Sequence, residues 1–231
     1  MTTNLQFQNK DLKMKTLSYA SMLVLMLAAI SAKADIVTVT TTGVVEQNQI
    51  HSGPLSLVHA GDATTMIFTV DSGNFVNSPN YPTRGYPISP ASFGLNFPAL
   101  SVGLQNPFPL GQTPYFSIRH NDPAVDGFML TTNYDFQNGV PTDQTGAFGQ
   151  FVDNYYVTYQ HGTLPSLNVL DALGTYNYNG LTVFNWTLDD GPFNAMLIDF
   201  TQMTITPEPA GLAVLALGSL MLLRSRRSRR A

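Results

Sequence analysis

Histidines and carboxylates are the side chains in this sequence that could bind a metal ion or transfer a proton. The four histidines are His51, His59, His120 and His161. They never form the His-x-His or His-x-x-x-His spacing that a zinc site on one strand or helix uses. In "VHAGD", His59 lies three residues before Asp62, and a capped or solvated turn is expected there, with metal binding as the alternative. The histidine pattern therefore predicts no zinc site.

A loose calcium pattern is present in "HNDPAVDGF", where Asp122 and Asp126 precede Gly127. Calcium loops alternate oxygen ligands along the chain and end on a bidentate glutamate. Here Ala124 occupies the middle ligand position, and no glutamate closes the loop. A tight turn that leads into a strand is the expected structure. Calcium binding stays an alternative, and no cofactor is predicted.

The sequence lacks the patterns of the common hydrolases. It has no cysteine, which excludes disulfides and a cysteine nucleophile, and it has no Gly-x-Ser-x-Gly motif. Asp189 and Asp190 are adjacent, but neighbours on a strand point to opposite faces, and "LDDGPF" is typical of a turn. Glu46 is the only glutamate between residues 35 and 206, which disfavours a glycosidase. No catalytic residue is predicted, and the protein is expected not to be an enzyme.

Aromatic side chains are the remaining candidates for ligand binding, because aromatic rings can stack on sugar rings. Tyr176 and Tyr178 in "GTYNYNG" are the favoured carbohydrate contacts, since alternation puts both on one face near a turn. Six other aromatic residues are expected to be mostly buried or half-buried: Tyr81, Tyr86, Tyr155, Tyr156, Tyr159 and Trp186.

Charge is strongly segregated along the sequence. Residues 35 to 206 contain 13 acidic residues and two basic ones, Arg84 and Arg119, which is a formal charge of −11. All other basic residues lie near the two ends of the chain. Nucleic-acid partners require a positive surface, so nucleic-acid binding is excluded.

Residues 35 to 206 are predicted to form one all-β domain. Apolar and polar residues alternate with a period of two in "TTMIFTV", "LTVFNWTL" and "MLIDFTQMTI". Further strands are expected over residues 36–45, 115–120, 127–132 and 151–160, between clusters of turn residues. About eight to eleven strands of this kind fit a single antiparallel sandwich or jelly roll.

Residues 71–114 interrupt this pattern. A proline or glycine recurs every few positions, and apolar alternation is brief, near residues 93–97. The segment is therefore predicted to be a long irregular connection that contains one strand. A ligand-facing loop and simple surface variation are equally consistent with it.

The N-terminal 34 residues have the pattern of a secretory signal peptide. Lys10, Lys13 and Lys15 precede an apolar stretch over residues 17–30. Ala32 and Ala34 then place small residues where signal peptidase requires them, so cleavage is expected before Asp35. The basic region before the apolar stretch is long, and Met14 is an alternative start.

The C-terminal stretch "TPEPAGLAVLALGSLMLLRSRRSRRA" joins a proline turn, an apolar segment and a basic end. Pro207, Glu208 and Pro209 are expected to end the fold, because proline cannot donate an N–H to a strand. Residues 210–223 are uncharged and would form a helix of about 21 Å, shorter than the roughly 30 Å hydrocarbon core. Five arginines follow, and they are expected to stay cytoplasmic: Arg224, Arg226, Arg227, Arg229 and Arg230.

This order of Pro-Glu-Pro, short apolar helix and arginine-rich end resembles the sorting signal of PEP-CTERM proteins, the bacterial substrates of exosortase. The match covers residues 206–230. The resemblance implies recognition at Pro207, Glu208 and Pro209, processing in the inner membrane, and delivery to the cell surface or the exopolysaccharide matrix. A weaker resemblance to the opening hairpin of such proteins covers residues 43–72.

Two functional hypotheses follow. The first is an exported, non-catalytic protein of the bacterial surface or matrix, with signal peptidase and exosortase as partners during export and with membrane contact through its C-terminal helix. The second is a carbohydrate-binding module of the extracellular matrix, assisted by calcium in one version, with exopolysaccharide as its partner.

Overall fold

Strands account for most of the part of the chain that the structure describes. The computed structural model describes residues 35–208, apart from residues 136 and 192. These residues form one compact unit, Asp35–Glu208. The predicted signal peptide, the helix over residues 210–223 and the arginine-rich end lie outside the described residues. The part of the chain that the structure describes contains no helix with the length and hydropathy of a membrane span.

The described residues contain thirteen strands and two short 3₁₀ helices, Pro54–Leu57 and Pro90–Ser92. The strands are β1 Ile36–Asn48, β2 Ala63–Asp71, β3 Val76–Asn77, β4 Thr83–Pro87, β5 Gly94–Asn96, β6 Ser101–Val102, β7 Tyr115–Arg119, β8 Val125–Thr131, β9 Val140–Thr145, β10 Gln150–Gln160, β11 Gly174–Tyr176, β12 Leu181–Asp189 and β13 Ala195–Pro207.

All thirteen strands belong to one antiparallel sheet. Its order is β3-β4-β7-β8-β10-β12-β13-β1-β2-β5-β6, with β9 beside β10 and β11 beside β13. Val70 of β2 and Ile88, just after β4, form a bridge that joins regions near opposite ends of this order. The sheet therefore curls back on itself, and the rings of Phe68 and Phe116 meet across its inner face at 5.4 Å. The prediction of an all-β antiparallel fold is confirmed.

The period-two alternation marks the buried face correctly. Met66, Phe68 and Val70 of β2 are buried, while their neighbours Thr65 and Ile67 remain accessible. The physical reason is that successive side chains on a strand point to opposite sides of the sheet. The same inward face carries the largest fully buried side chains, which include Trp186, Tyr86, Tyr155, Tyr159, Phe116, Phe128 and Phe200. The expectation that most of the candidate aromatic residues serve the core is confirmed.

The prediction for residues 71–114 is wrong in one respect. This segment contains four short strands, β3 to β6, and not one. β4 pairs with β7 over five residues even though it includes Gly85 and Pro87. β4 and β5 pair with the distant strands β7 and β2, and β3 and β6 pair with β4 and β5 in turn. Their own sequence shows almost no alternation that would reveal this pairing. For the same reason the observed strands outnumber the eight to eleven that were expected.

The expectation that Pro207 cannot continue a strand is also wrong. Pro207 is the last residue of β13 and lies opposite Val37 of β1. Glu208 then donates its N–H to the Ile36 carbonyl at 2.8 Å. Proline is tolerated at a strand end where its missing N–H is not needed by the neighbouring strand. The first two residues of the Pro-Glu-Pro motif therefore lie against the sheet, with exposed side chains.

Candidate functional site

Tyr176, the first of the two predicted carbohydrate contacts, is half-buried at the end of β11. Its ring lies 4.7 Å from that of Phe128 and 5.6 Å from that of Tyr159. Its hydroxyl donates to the Ala172 carbonyl at 2.9 Å. Burial, and then the charge of Asp126, raise the pKa of Tyr176 to about 12. Neighbouring aromatic rings and a carbonyl of the chain already contact this side chain.

Tyr178, the second predicted contact, is 55% exposed, and its hydroxyl bonds to a part of β13 that neither β11 nor β12 pairs with. On one side of β13, β12 pairs only with Ala195–Leu197 and β11 only with Met203–Ile205. The Tyr178 hydroxyl donates to the Phe200 carbonyl, which lies between those two paired stretches. Its ring meets the Phe184 ring edge-on at 6.1 Å. Tyr176 and Tyr178 therefore have different ring neighbours, and both hydroxyls are bonded to backbone carbonyls.

Replacement of Tyr178 by phenylalanine is expected to lower the free energy of unfolding by about 1 kcal/mol, because one hydrogen bond to a carbonyl is lost. Urea unfolding followed by circular dichroism measures this change. Tyr156→Phe is the matched control, since the Tyr156 hydroxyl makes no hydrogen bond within the described part of the chain. Equal effects of the two substitutions would contradict the stabilising role of the Tyr178 hydroxyl.

Asp126, part of the loose calcium pattern, is fully buried and accepts three hydrogen bonds. The donors are the N–H groups of Asn121 and Leu164, each at 2.9 Å, and Nδ1 of His120 at 3.2 Å. Burial alone would raise the pKa of Asp126, but the two N–H groups and then His120 lower it below its ordinary value. Asp122 instead pairs with Arg119 at 3.3 Å. The Asp126 carboxylate therefore ties the turn before β8 to the segment after β10.

The other carboxylates singled out in the sequence also bond to nearby donors. Asp62 accepts the N–H of His59 at 2.8 Å, so this turn is the capped one of the two alternatives. Asp189 accepts from the Asn154 amide at 3.0 Å, while Asp190 bonds to the N–H of Phe148 at 3.0 Å. Among the described residues, no group of three or more His, Cys, Asp or Glu side chains is arranged to hold a metal ion.

Asp153 of β10 is a buried carboxylate that the sequence analysis missed. It has no solvent exposure, and its Oδ1 accepts the indole N–H of Trp186 at 3.0 Å. Its Oδ2 is buried without a hydrogen-bond partner. Burial raises the pKa of Asp153 to about 7, although the Trp186 hydrogen bond opposes this shift. Alternation could have revealed it, because Asp153 shares its face with Phe151 and Tyr155.

Two exposed phenylalanines on neighbouring hairpins were also missed. Phe148, between β9 and β10, is 70% exposed, and Phe193, between β12 and β13, is 91% exposed. Phe148 lies beside Gly191, where an added Cβ would be 3.4 Å from the Phe148 side chain. Both residues lie in glycine-containing turns, "GAFGQ" and "DDGPFN", where strand alternation does not apply. We call this pair the aromatic tip.

Comparison of the chain with protein-family models, with curated proteins and with solved structures finds no match.

Proposed function

We propose that this protein is an exported, non-catalytic component of the bacterial cell surface or exopolysaccharide matrix, sorted by an exosortase through its C-terminal end. The sequence patterns at both ends support this proposal. One structural observation favours it further. β1 and β13 pair along almost their whole length, with Val37 opposite Pro207 at one end and Asn48 opposite Met196 at the other. Residues 35 and 208 therefore lie side by side at one end of the unit.

In this proposal, signal peptidase cleaves after Ala34 and the mature domain begins at Asp35. The domain is a single antiparallel sandwich or jelly roll built from the curled sheet, and the C-terminal helix holds it briefly in the inner membrane with the arginines in the cytoplasm. Pro207 and Glu208 are exposed at the C-terminal end of β13, where a membrane enzyme could reach them. The helix of about 21 Å is too short for comfortable permanent anchoring.

Replacement of Pro207, Glu208 and Pro209 by alanine is expected to abolish surface delivery while export continues. Full-length protein that still carries Arg230 should accumulate in the inner membrane, because the processing enzyme no longer recognises its motif. Cell fractionation and mass spectrometry of the C-terminal peptide measure both quantities. Thr201→Ala combined with Gln202→Ala, at exposed positions of the same strand, is the matched control and should be delivered normally.

Two results would overturn the sorting proposal. The first is wild-type surface protein that retains the peptide from Arg224 to Arg230. The second is delivery of the alanine variant at the wild-type level. Either result would indicate an ordinary single-pass membrane protein.

A carbohydrate-binding role in the matrix is the second candidate function. The aromatic tip favours it, because exposed rings on fixed loops are suited to stacking on sugars. This second function includes no metal ion and no catalytic residue.

A further inference from the structure

We propose that Phe148 and Phe193 form a binding site for a neutral glycan at the end of the domain opposite residues 35 and 208. The site differs from the Tyr176 and Tyr178 pair suggested by the sequence. The proposal rests on the second candidate function, carbohydrate binding.

Asp190 holds the two hairpins of the aromatic tip together. Its Oδ2 accepts the N–H of Phe148 at 3.0 Å, and its Oδ1 accepts a hydrogen bond from the Asn194 side-chain amide. A Cβ at Gly146 would collide with the Asp190 carboxylate, so glycine allows this close approach. The two phenylalanines are therefore presented by loops that one carboxylate connects.

Neither burial nor backbone preference explains a phenylalanine at position 193. Phe193 has a φ of 69°, in the left-handed region that favours glycine and is unusual for a bulky residue. Its side chain is almost wholly exposed, so it contributes little to the core. Strained backbone conformations cluster at active sites and ligand clamps, so this residue is a candidate for ligand contact.

The size of the aromatic tip fits a glycan better than a protein partner. Each phenylalanine can bury about 150–250 Å², so the pair offers roughly 300–500 Å². A stable protein interface needs about 800 Å² on each partner. A chain of sugar rings needs only stacking faces and a few polar groups.

Charge favours a neutral glycan over an anionic one. Arg84 and Arg119 are the only basic residues between positions 35 and 208. Asp189 and Asp190 lie beside the tip, together with the carboxylates of the rest of the acidic unit. Sulfate, phosphate or uronate groups would be repelled here, whereas uncharged hydroxyl groups would not.

The aromatic tip lies far from residue 208, where the described unit ends. Phe193 lies two residues before the start of β13, and Pro207 ends that strand. Thirteen residues of strand extend over about 40 Å. Phe193 therefore lies far from residue 208, at the other end of β13.

The test is affinity electrophoresis of the full-length chain in a mild detergent, through gels containing dextran, laminarin or galactomannan, with alginate as the anionic comparison. At least one neutral polysaccharide should retard the wild-type protein. The double variant F148A/F193A should bind that polysaccharide roughly tenfold more weakly or worse, as expected when aromatic anchors are removed. The matched control is L57A/L110A, which removes two other exposed apolar side chains and should bind like wild type.

Three outcomes would overturn the glycan site: no retardation by any of the three neutral polysaccharides, equal binding by F148A/F193A and wild type, or stronger retardation by alginate than by all of them. Circular dichroism of each variant verifies its fold, and both changed positions are exposed. The binding assay does not depend on sorting. Normal delivery of the Pro207 to Pro209 alanine variant would contradict the proposed function without affecting this result.

Discussion

Replacement of Asp153 by asparagine is expected to remove a pH-dependent loss of stability of about 4 kcal/mol between pH 4 and 7. The pKa of Asp153 is about 7 in the folded protein, against an ordinary value of 3.8. Between these two values the folded protein keeps a proton that the unfolded chain has released. Stability therefore falls as pH rises, by about 1.4 kcal/mol per pH unit, and levels off above pH 7.

Asparagine suits this test because it is close in size to aspartate and stays neutral at every pH. Its side-chain oxygen can still accept the indole N–H of Trp186. Urea unfolding of residues 35–208 at several pH values between 4 and 8.5 measures the effect. The wild-type free energy of unfolding should fall steadily to pH 7, whereas the fall should be largely absent in Asp153→Asn. The variant should be the more stable protein at pH 8.

Asp199→Asn is the matched control, because Asp199 is exposed on the same sheet. This variant should keep the wild-type pH dependence. Asp126 does not contribute to the change in stability between pH 4 and 7. Its pKa is lowered in the folded protein, so its stabilising contribution is lost only as the pH falls below this range. A wild-type stability that stays constant from pH 4 to 7 would show that Asp153 is not held protonated.

Replacement of Gly43 by alanine is expected to destabilise the domain by about 3 kcal/mol, through overpacking. An added Cβ would lie 2.5 Å from the Asp199 carbonyl oxygen and 2.8 Å from both Ile198 Cγ2 and Trp186 Cζ3. The carbonyl belongs to β13, so it cannot move away without disturbing the pairing of β1 and β13. At this size of domain the melting temperature should drop by roughly 6–12 °C.

Thermal unfolding followed by circular dichroism measures the Gly43→Ala effect. Gly94→Ala is the matched control, because its Cβ would meet only the Asn96 side chain, at 3.3 Å or more, and no backbone atom. That variant should change stability by less than about 1 kcal/mol. Similar melting temperatures for Gly43→Ala and wild type would show that β1 can shift at this position.

Alternation in the sequence was enough to predict the main strands and the faces they bury. β2, β10, β12 and β13 follow it, because the direction of a strand side chain depends only on its position along the strand. Applied fully, the same rule would also have placed Asp153 in the core. Charge segregation and the patterns at the two ends are likewise local properties, so the sequence alone supports the hypothesis of export and sorting.

Only the tertiary structure decided which strands pair and which loops meet. β4 and β11 form against distant strands, and Pro207 extends β13 because β1 lies beside it. The aromatic tip exists because Asp190 bonds to a hairpin 42 residues away in the sequence. Such contacts depend on the curled path of the whole sheet, since hydrogen bonds between distant backbone segments leave no periodic pattern in the residues that make them.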